Sequence, residues 1–363
     1  MPRISRGIAS YLRKKNKLLP LLYRDSRIPE LAEFDLRSLK EHVLQREDLK
    51  NSPRRQFIYL KSLCERRARA EPLEHILGTA CFYDVEILSG RGALIPRTET
   101  ESMVMRLCDD LKNYYFVNGS RRNNMGKKFR ILDLCTGSGP IALLIAKQLY
   151  DLNLPYGFQV LGVDISEPAL KLARGSLEHN IRSGALPEEA RRDVGFSQGN
   201  VLSPKESLHG GKSDVHDDIT SFFTHEDRTN NKPIVDVVVA NPPYVSASGY
   251  WEDTDRSVRL YEPEIALVPP EERPKSIQDD ILREDVFYPT IEEYAAYFES
   301  KAVVFETGGD KQSNRIKSML ENRGWETGTW KDFRGIHRNV VGWRKESGWN
   351  WLPLPSKDGI SYD

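Results

Sequence analysis

From residue 129 onwards, short apolar runs alternate with segments of helical periodicity, and this alternation restricts the fold more than any other feature of the sequence. Alternating strands and helices form a parallel sheet with helices on both faces, and such sheets bind ligands at the carboxyl ends of their strands. The predicted strands are residues 131–134, 159–163, 194–198, 235–240 and 302–305, and the predicted helices between them include 141–149 and 169–180.

Two segments interrupt this alternation. Residues 203–232 are polar and rich in Gly, Ser, His and Asp, which predicts a mobile insertion without a catalytic role. Residues 251–283 have a mixed, proline-bearing sequence and are long enough to cover a ligand site.

Upstream of the alternation, the pattern is helical. Apolar residues recur at helical spacing from residue 31 to about 70, and Pro53 is placed to start the second of these helices. Residues 78–95 alternate and contain a glycine-rich reversal, which predicts a hairpin. A further helix is predicted from Pro96 to about residue 111. The sequence therefore predicts a small helical domain joined by a β-hairpin to a larger α/β domain.

Every charged residue before Asp25 is basic. A basic, acid-poor and amphipathic start is typical of an organellar transit segment, but it also suits the first helix of a folded domain. The basic residues are Arg3, Arg6, Arg13, Lys14, Lys15, Lys17 and Arg24. We expect the following parts: a basic leader at 1–25, a helical substrate-recognition domain at 26–77, a hairpin linker at 78–95, the α/β domain at 96–346, and a tail at 347–363.

Composition argues against several classes of function. The chain of 363 residues has 53 basic and 53 acidic residues, so it lacks the basic excess of a general nucleic-acid binder, and direct nucleic-acid binding is not expected. No apolar run approaches the ~20 residues that a membrane span requires. The four cysteines have no metal-ligand spacing, which predicts a reducing compartment and no metal site.

The loop after the first predicted strand, residues 133–139, contains an acid and two glycines, and Asp164 ends the second strand. The glycines also fit a dinucleotide-binding loop, so a dehydrogenase is an alternative. Asp133 precedes the glycines, where it would repel a pyrophosphate but attract the ammonium group of S-adenosylmethionine. Asp164 would accept hydrogen bonds from ribose hydroxyls in either case. Asn200, after the third strand, would face the adenine or serve as a turn residue.

The fourth predicted strand ends at Asn241-Pro242-Pro243-Tyr244. Prolyl nitrogens carry no hydrogen, so the backbone here offers carbonyl acceptors without adjacent donors. Asn241 adds a side-chain carbonyl, and Tyr244 adds a flat face. These residues form a cup for a planar nitrogen, which could belong to an amide or to an exocyclic amine. Its two N–H groups would donate hydrogen bonds to the Asn241 side chain and to the Pro242 carbonyl. The alternative is a proline turn that ends a strand.

These residues resemble the HemK/PrmC family, the glutamine N5-methyltransferases of peptide-chain release factors. The resemblance extends from about Arg66 to Arg344 and rests on several segments that occur in family order. The segments are residues 71–78, 94–101, 133–139, Asp164, 241–244, 262–267 and 332–338.

The resemblance implies a seven-stranded class I S-adenosylmethionine-dependent methyltransferase fold with a small N-terminal helical domain. It also implies methyl transfer to the glutamine of the Gly-Gly-Gln loop of a release factor, which with the basic leader indicates a mitochondrial enzyme. The expected catalytic residues are Asn241, Pro242 and Tyr244, and substrate binding adds Pro243, Arg97 and Glu101, although Glu101 also suits a helix start. The expected cofactor-binding residues are Asp133, Cys135, Thr136, Gly137, Ser138, Gly139, Asp164, Asn200, Val201, Asn241 and Thr100.

The sequence departs from the family at three positions. Cys135 replaces the usual first glycine of the loop, so its backbone must take a negative φ or the loop must tolerate a side chain. Thr98 replaces a proline, and Asn200 replaces an acid. Two other functions stay open: an adenine N6-methyltransferase acting on nucleic acid, whose exocyclic amine the same cup accepts, and a noncatalytic scaffold that binds a release factor or the ribosome.

Overall fold

The computed structural model describes residues 5–118, 127–154, 157–203, 215–224, 232–272 and 281–347. The chain divides into two compact units. A helical unit comprises the described residues up to Ala80 together with Ser89–Arg91 and Thr254–Glu262, and a sheet unit comprises Cys81–Leu88, Gly92–Asp253 and the described residues from Pro263 onwards.

The helical unit has its own apolar core. Its helices are α1 (Arg6–Lys15), α2 (Leu19–Ser26), α3 (Pro29–Leu44), α4 (Pro53–Arg67) and α5 (Leu73–Leu77). Leu12 of α1 and Leu22 of α2 are completely buried and pack in the same cluster as Leu39 and Leu63. Most of the described part of the basic segment therefore lies in two helices of the helical unit, and the predicted boundary at residue 25 falls within α2.

The sheet unit contains a seven-stranded sheet. Its strands are β3 (Phe129–Leu134), β4 (Phe158–Asp164), β5 (Val194–Gln198), β6 (Val237–Ala240), β7 (Ala302–Glu306), β8 (Glu326–Lys331) and β9 (His337–Trp343), after a hairpin formed by β1 (Thr79–Phe82) and β2 (Val85–Leu88). The strand order is β5-β4-β3-β6-β7-β9-β8, with β9 antiparallel to both of its neighbours. The predicted class I methyltransferase architecture is confirmed, and β8 and β9 add to the five strands that the apolar runs predicted.

Helices cover both faces of this sheet because successive residues of a buried strand point to opposite sides. Ile131 packs in one apolar cluster with α7 and α8, and its neighbour Leu132 packs in the other with α10 and α13. The helices of this unit are α6 (Thr98–Asn118), α7 (Pro140–Leu152), α8 (Glu167–Ser183), α9 (Ala190–Asp193), α10 (Val215–Thr224), α11 (Ala247–Glu252), α13 (Phe287–Tyr297) and α14 (Asp310–Asn322), and α12 (Arg256–Tyr261) lies in the helical unit.

The predicted mobile insertion is wrong for residues 215–224, which form α10. Val215, Ile219 and Phe223 recur every fourth residue, so they share one helix face, and all three are buried. The Phe223 carbonyl also accepts a hydrogen bond from Arg130 Nη2 at 2.7 Å. This helix therefore covers the sheet, while residues 204–214 and 225–231 of the predicted insertion lie outside the described residues.

None of the helices in the described ranges combines the length and the apolar character that crossing a bilayer requires.

The burial of α10 gives a first prediction. Phe223→Ala should lower the free energy of unfolding by about 3–5 kcal/mol, because it leaves a cavity where a completely buried ring packed. Ser221→Ala is the matched control on the exposed face of the same helix, and it should change stability by less than about 0.5 kcal/mol. Urea unfolding measures both, and equal effects would show that α10 does not pack on the sheet.

Candidate active site

Five parallel strands end at one edge of the sheet, and their register brings the predicted motifs together. Leu134 at the end of β3 lies opposite Ala240 at the end of β6, and Ala240 lies opposite Phe305 of β7. The glycine loop that follows β3 and Asn241 that follows β6 are therefore neighbours. This edge is where parallel sheets bind ligands, at the point where the strand order reverses.

A cavity of about 920 Å³ lies at this edge. Its volume is in the range of cofactor and ligand sites. Of the predicted site residues, the cavity is lined by Arg97, Thr100, Cys135, Thr136, Gly137, Ser138, Asp164, Asn200, Val201, Asn241 and Pro243. Five others, Asp133, Gly139, Pro242, Tyr244 and Glu101, are not among the described residues of its wall.

The glycine loop keeps a left-handed backbone where the sequence places cysteine. Cys135 has a φ of 64°, and Gly137 and Gly139 have φ of 58° and 83°. The sequence left two alternatives for Cys135: a negative φ, or a loop that tolerates its side chain. The positive φ shows that the second holds, at a conformational cost of about 1–2 kcal/mol. Gly139 admits no such replacement, since a Cβ there would lie 2.9 Å from the ring of Phe196. Burial raises the pKa of the Cys135 thiol well above its usual value, so the thiol stays protonated.

Asp133 holds the glycine loop through a hydrogen bond with Thr136. It is completely buried, and its Oδ2 accepts a hydrogen bond from the Thr136 hydroxyl at 2.5 Å. Burial raises its pKa to about 7, against the opposing effect of the Thr136 hydrogen bond. The sequence predicted that Asp133 attracts the ammonium group of a cofactor, and this stays a prediction. In the structure its carboxyl also holds the turn that carries Gly137 and Ser138 into the cavity wall.

Asp164 ties the second strand to the loop. Its Oδ2 accepts the Gly137 N–H at 2.8 Å, and its Oδ1 accepts the Ser166 N–H at 2.8 Å. Burial raises the pKa of Asp164, and hydrogen bonds from the backbone oppose this shift. Each carboxylate oxygen has a second lone pair. The side chain therefore retains acceptor capacity toward the cavity.

Asn200 serves as a turn residue and also lines the cavity. Its Oδ1 accepts the Leu202 N–H at 3.1 Å, which leaves the Nδ2 hydrogens for a ligand. The wall beside it is apolar, with Val201 and Leu202 on one segment and Ile165 on another. Such a mixture suits an adenine ring, which needs flat apolar contacts and a few hydrogen bonds.

The buried hydroxyl of Ser138 lines the same cavity and has no hydrogen-bond partner among the described residues. A buried polar group without a partner is costly, so this hydroxyl is suited to a polar group of a ligand. Together with Asp164 and Asn200, it gives the cavity the polar groups that S-adenosylmethionine requires. The residues present therefore fit this cofactor.

The Asn241 carboxamide has a defined orientation. Its Nδ2 donates to the Thr100 hydroxyl at 3.0 Å, so Thr100 contacts Asn241 in addition to lining the cavity. The chain after Asn241 is anchored by the Val245 N–H, which donates to the Leu267 carbonyl at 2.8 Å. That segment belongs to the predicted cover, and its residues Pro263, Ile265 and Ala266 line the cavity.

Tyr244 contacts a residue that the sequence analysis did not identify. Its hydroxyl donates to Glu306 Oε1 at 3.0 Å, and the Glu306 carbonyl accepts from Tyr288 at 2.8 Å. Glu306 is completely buried at the end of β7. Burial raises its pKa to about 7, against the opposing hydrogen bonds of Thr100 and Tyr244. The available signal was a single acid that ends an otherwise apolar strand.

Glu101 is not among the described residues that line the cavity, and it holds the hairpin. Its Oε2 accepts the Tyr83 N–H at 2.9 Å, at a turn where Tyr83 has a φ of 52°. That Glu101 also contacts the substrate stays a prediction. Across the described ranges, no group of three or more His, Cys, Asp or Glu residues comes together to hold a metal ion.

Known proteins resemble this chain over most of its length. No family model matches the chain. A Schizosaccharomyces pombe protein described as a probable MRF1 mitochondrial N(5)-glutamine methyltransferase is 30% identical and covers 94% of this chain and 95% of its own length. The release factor glutamine methyltransferase of Thermodesulfovibrio yellowstonii is 31% identical, with coverage of 78% and 80%. The mitochondrial MRF1 methyltransferase of Saccharomyces cerevisiae is 26% identical, with coverage of 95% and 90%.

Solved structures are more distant. The N-terminal domain of human METTL16 has a TM-score of 0.40 at 14% identity, covering 78% of this chain and 82% of that one. The Encephalitozoon cuniculi Mtq2–Trm112 complex has a TM-score of 0.34 at 16% identity, covering 70% and 99%. At TM-scores below 0.5 these two similarities carry no argument about this chain.

The raised pKa of Glu306 predicts a pH-dependent stability. The native carboxyl keeps a proton that the unfolded chain releases from about pH 4.5, so wild-type stability falls as the pH rises to about 7. In Glu306→Gln no carboxyl titrates at this position, so the variant does not lose stability for this reason. The free energy of unfolding of the variant, minus that of the wild type, should therefore increase by up to about 3 kcal/mol between pH 4.5 and pH 8.

Urea unfolding across this pH range measures the difference. Asp133, whose pKa is also raised by burial, acts in both proteins, so its contribution cancels. The exposed Glu252→Gln is the matched control and should run parallel to the wild type. A parallel profile for Glu306→Gln as well would contradict the burial assigned to Glu306.

Proposed function

Because the chain belongs to the release factor glutamine methyltransferases, we propose that it transfers a methyl group from S-adenosylmethionine to the side-chain amide nitrogen of a glutamine in a peptide-chain release factor. One observation carries the proposal. Asn241 lies on the wall of a cavity that fits the cofactor, with its Nδ2 bonded to Thr100 and its Oδ1 left as the acceptor. An oriented carbonyl acceptor is what a substrate amide requires.

We assign cofactor binding to the loop and to the ends of β4 and β5. Asp164 accepts the ribose hydroxyls, Asn200 with Val201 holds the adenine, and Ser138 hydrogen-bonds a polar group of the methionine part. Cys135, Thr136 and Gly137 supply the close backbone surface. When bound, S-adenosylmethionine supplies an electrophilic methyl group on a sulfonium, which is already a good leaving group.

The remaining task for the protein is to orient the substrate nitrogen. An amide nitrogen is a poor nucleophile because its lone pair is delocalised into the carbonyl, so alignment is the main source of rate. Asn241 Oδ1 and the Pro242 carbonyl accept its two N–H groups, and this directs the lone pair toward the methyl group. As positive charge develops on nitrogen, both acceptors stabilise it. Arg97 and Pro243 complete the wall against the substrate, and Tyr244 supports the cup from behind through Glu306.

The substrate loop is assigned as Gly-Gly-Gln, and the factor as mitochondrial, since two of the relatives are described as mitochondrial MRF1 methyltransferases. A three-residue loop offers little area for recognition. We therefore assign binding of the rest of the factor to the helical unit. The exposed apolar residues Leu31 and Phe34 on α3 support this role.

A labelled-methyl assay tests the function. Incubation with methyl-labelled S-adenosylmethionine and a mitochondrial release factor should label the factor, whereas the same factor with Gln→Asn in its Gly-Gly-Gln loop should stay unlabelled. The Asn variant keeps an amide but shortens its reach by one methylene. Label in DNA or RNA and none in the factor would replace this proposal with an adenine methyltransferase, and no label in either would favour the scaffold.

Two variants should separate chemistry from cofactor binding. Asn241→Ala should lower kcat by about 100- to 1000-fold, because it removes an acceptor that acts in the transition state, while leaving the Kd for S-adenosylmethionine nearly unchanged. Asp164→Ala should raise that Kd by about 10- to 100-fold, because charged hydrogen bonds are lost. Calorimetry and initial rates measure both. The assignment is wrong if Asn241→Ala loses cofactor binding and Asp164→Ala does not.

A further inference from the structure

The two ends of the Asn241 carboxamide differ chemically, and only the oxygen accepts an N–H group. Its Nδ2 donates to Thr100 Oγ1 at 3.0 Å. Thr100 is 3% exposed, and its hydroxyl also interacts with the Glu306 carboxyl. Thr100 therefore links Asn241 to Glu306 within the protein interior.

The chemistry of Glu306 agrees with the direction of the hydrogen bonds that join Asn241, Thr100 and Glu306. An ionised carboxylate only accepts hydrogen bonds, and a hydroxyl has one hydrogen to donate. Asn241 Nδ2 donates to the Thr100 oxygen, so the hydrogen of the Thr100 hydroxyl remains for the Glu306 carboxyl, whose pKa Thr100 lowers by hydrogen bonding. A reversed carboxamide would place Oδ1 of Asn241 against an oxygen whose hydrogen is already used. The ordering thus selects Nδ2 for Thr100 and leaves Oδ1 for a substrate.

We propose that Thr100 and Glu306 are positioning residues, which fix the Asn241 carboxamide with its oxygen toward the substrate amide. The proposal rests on the function proposed above. Glu306 reaches Thr100 and Tyr244 from the end of β7, which pairs with β6 directly beside Asn241. One buried carboxylate thereby holds both the first and the last residue of the Asn241–Tyr244 segment.

Burying the Glu306 carboxyl costs stability, and the positioning role gives a reason for that cost. Its pKa rises to about 7 because burial disfavours the charged form, although Thr100 and Tyr244 both donate to it. The side chains of Arg338 and Glu99 act on it with opposite signs. A buried acid of this kind beside a ligand cavity is typical of a functional site.

Three variants of the full-length protein test the proposal at pH 8 with the release factor as substrate. Thr100→Val keeps the shape and removes the hydroxyl, so Asn241 loses its acceptor and its carboxamide is free to reverse. Glu306→Leu keeps a similar volume and removes both carboxyl oxygens, so the Thr100 hydroxyl loses its acceptor and its hydrogen is free to turn toward Asn241. Thr100→Ser keeps the hydroxyl and is the matched control.

We expect Thr100→Val and Glu306→Leu to lower kcat by about 10- to 100-fold, because misalignment acts on the transition state. Both KM values and the Kd for S-adenosylmethionine should stay within about threefold of the wild type. Thr100→Ser should recover most of the rate. A purely structural role would instead lower thermal stability and cofactor binding together with the rate.

The outcomes separate the two proposals. If the wild type labels the release factor while Thr100→Val and Glu306→Leu retain its kcat, the positioning role is wrong and the proposed function stands. If Thr100→Ser is as slow as Thr100→Val, the hydroxyl does not set the orientation, and the proposal is again overturned. If the wild type labels no release factor, the proposed function fails and the positioning role fails with it.

Discussion

The parallel pairing of β6 between β3 and β7 is the constraint on which the rest of the sheet unit depends. All four residues of β6 are buried, and Asp236 just before it fixes the register at the amino end. Its Oδ2 accepts the Arg130 N–H at 2.9 Å, and its Oδ1 pairs with Lys301 at 2.5 Å. Because these bonds tie three strands at one end, their opposite ends are aligned, and the glycine loop, Asn241 and Glu306 meet there.

Buried acids serve this edge in two different ways. Asp133 accepts from Thr136 and holds the glycine loop beneath the cavity, whereas Glu306 accepts from Tyr244 and supports the segment after β6. Both have pKa values raised to about 7 by burial. The edge of the sheet is therefore built on carboxyls that cost stability at neutral pH.

The sequence predicted the parts of this fold that local pattern determines. Apolar runs predicted the strands from β3 to β7. The ends of two of these runs predicted the places of the glycine loop at 133–139 and of the segment 241–244. β8 did not follow, because its residues are mostly half-buried and mixed in character. β9 was missed as well, although five of its seven residues are buried. The helix α10 was missed because its three buried residues lie among polar neighbours. Glu306 was missed because its proximity to Asn241 comes from the register of β6 and β7, which local sequence does not encode.

The central claim is that an oriented Asn241 carboxamide presents a glutamine side-chain nitrogen to a methyl donor. Tandem mass spectrometry of a release factor treated with the protein and S-adenosylmethionine tests this claim most directly, since the fragment ions locate the added methyl group. We predict a single methyl group on the side-chain nitrogen of the Gly-Gly-Gln glutamine, absent from the factor treated with Asn241→Ala. A methyl group on any other residue, or on that glutamine with equal yield in the variant, would contradict the account.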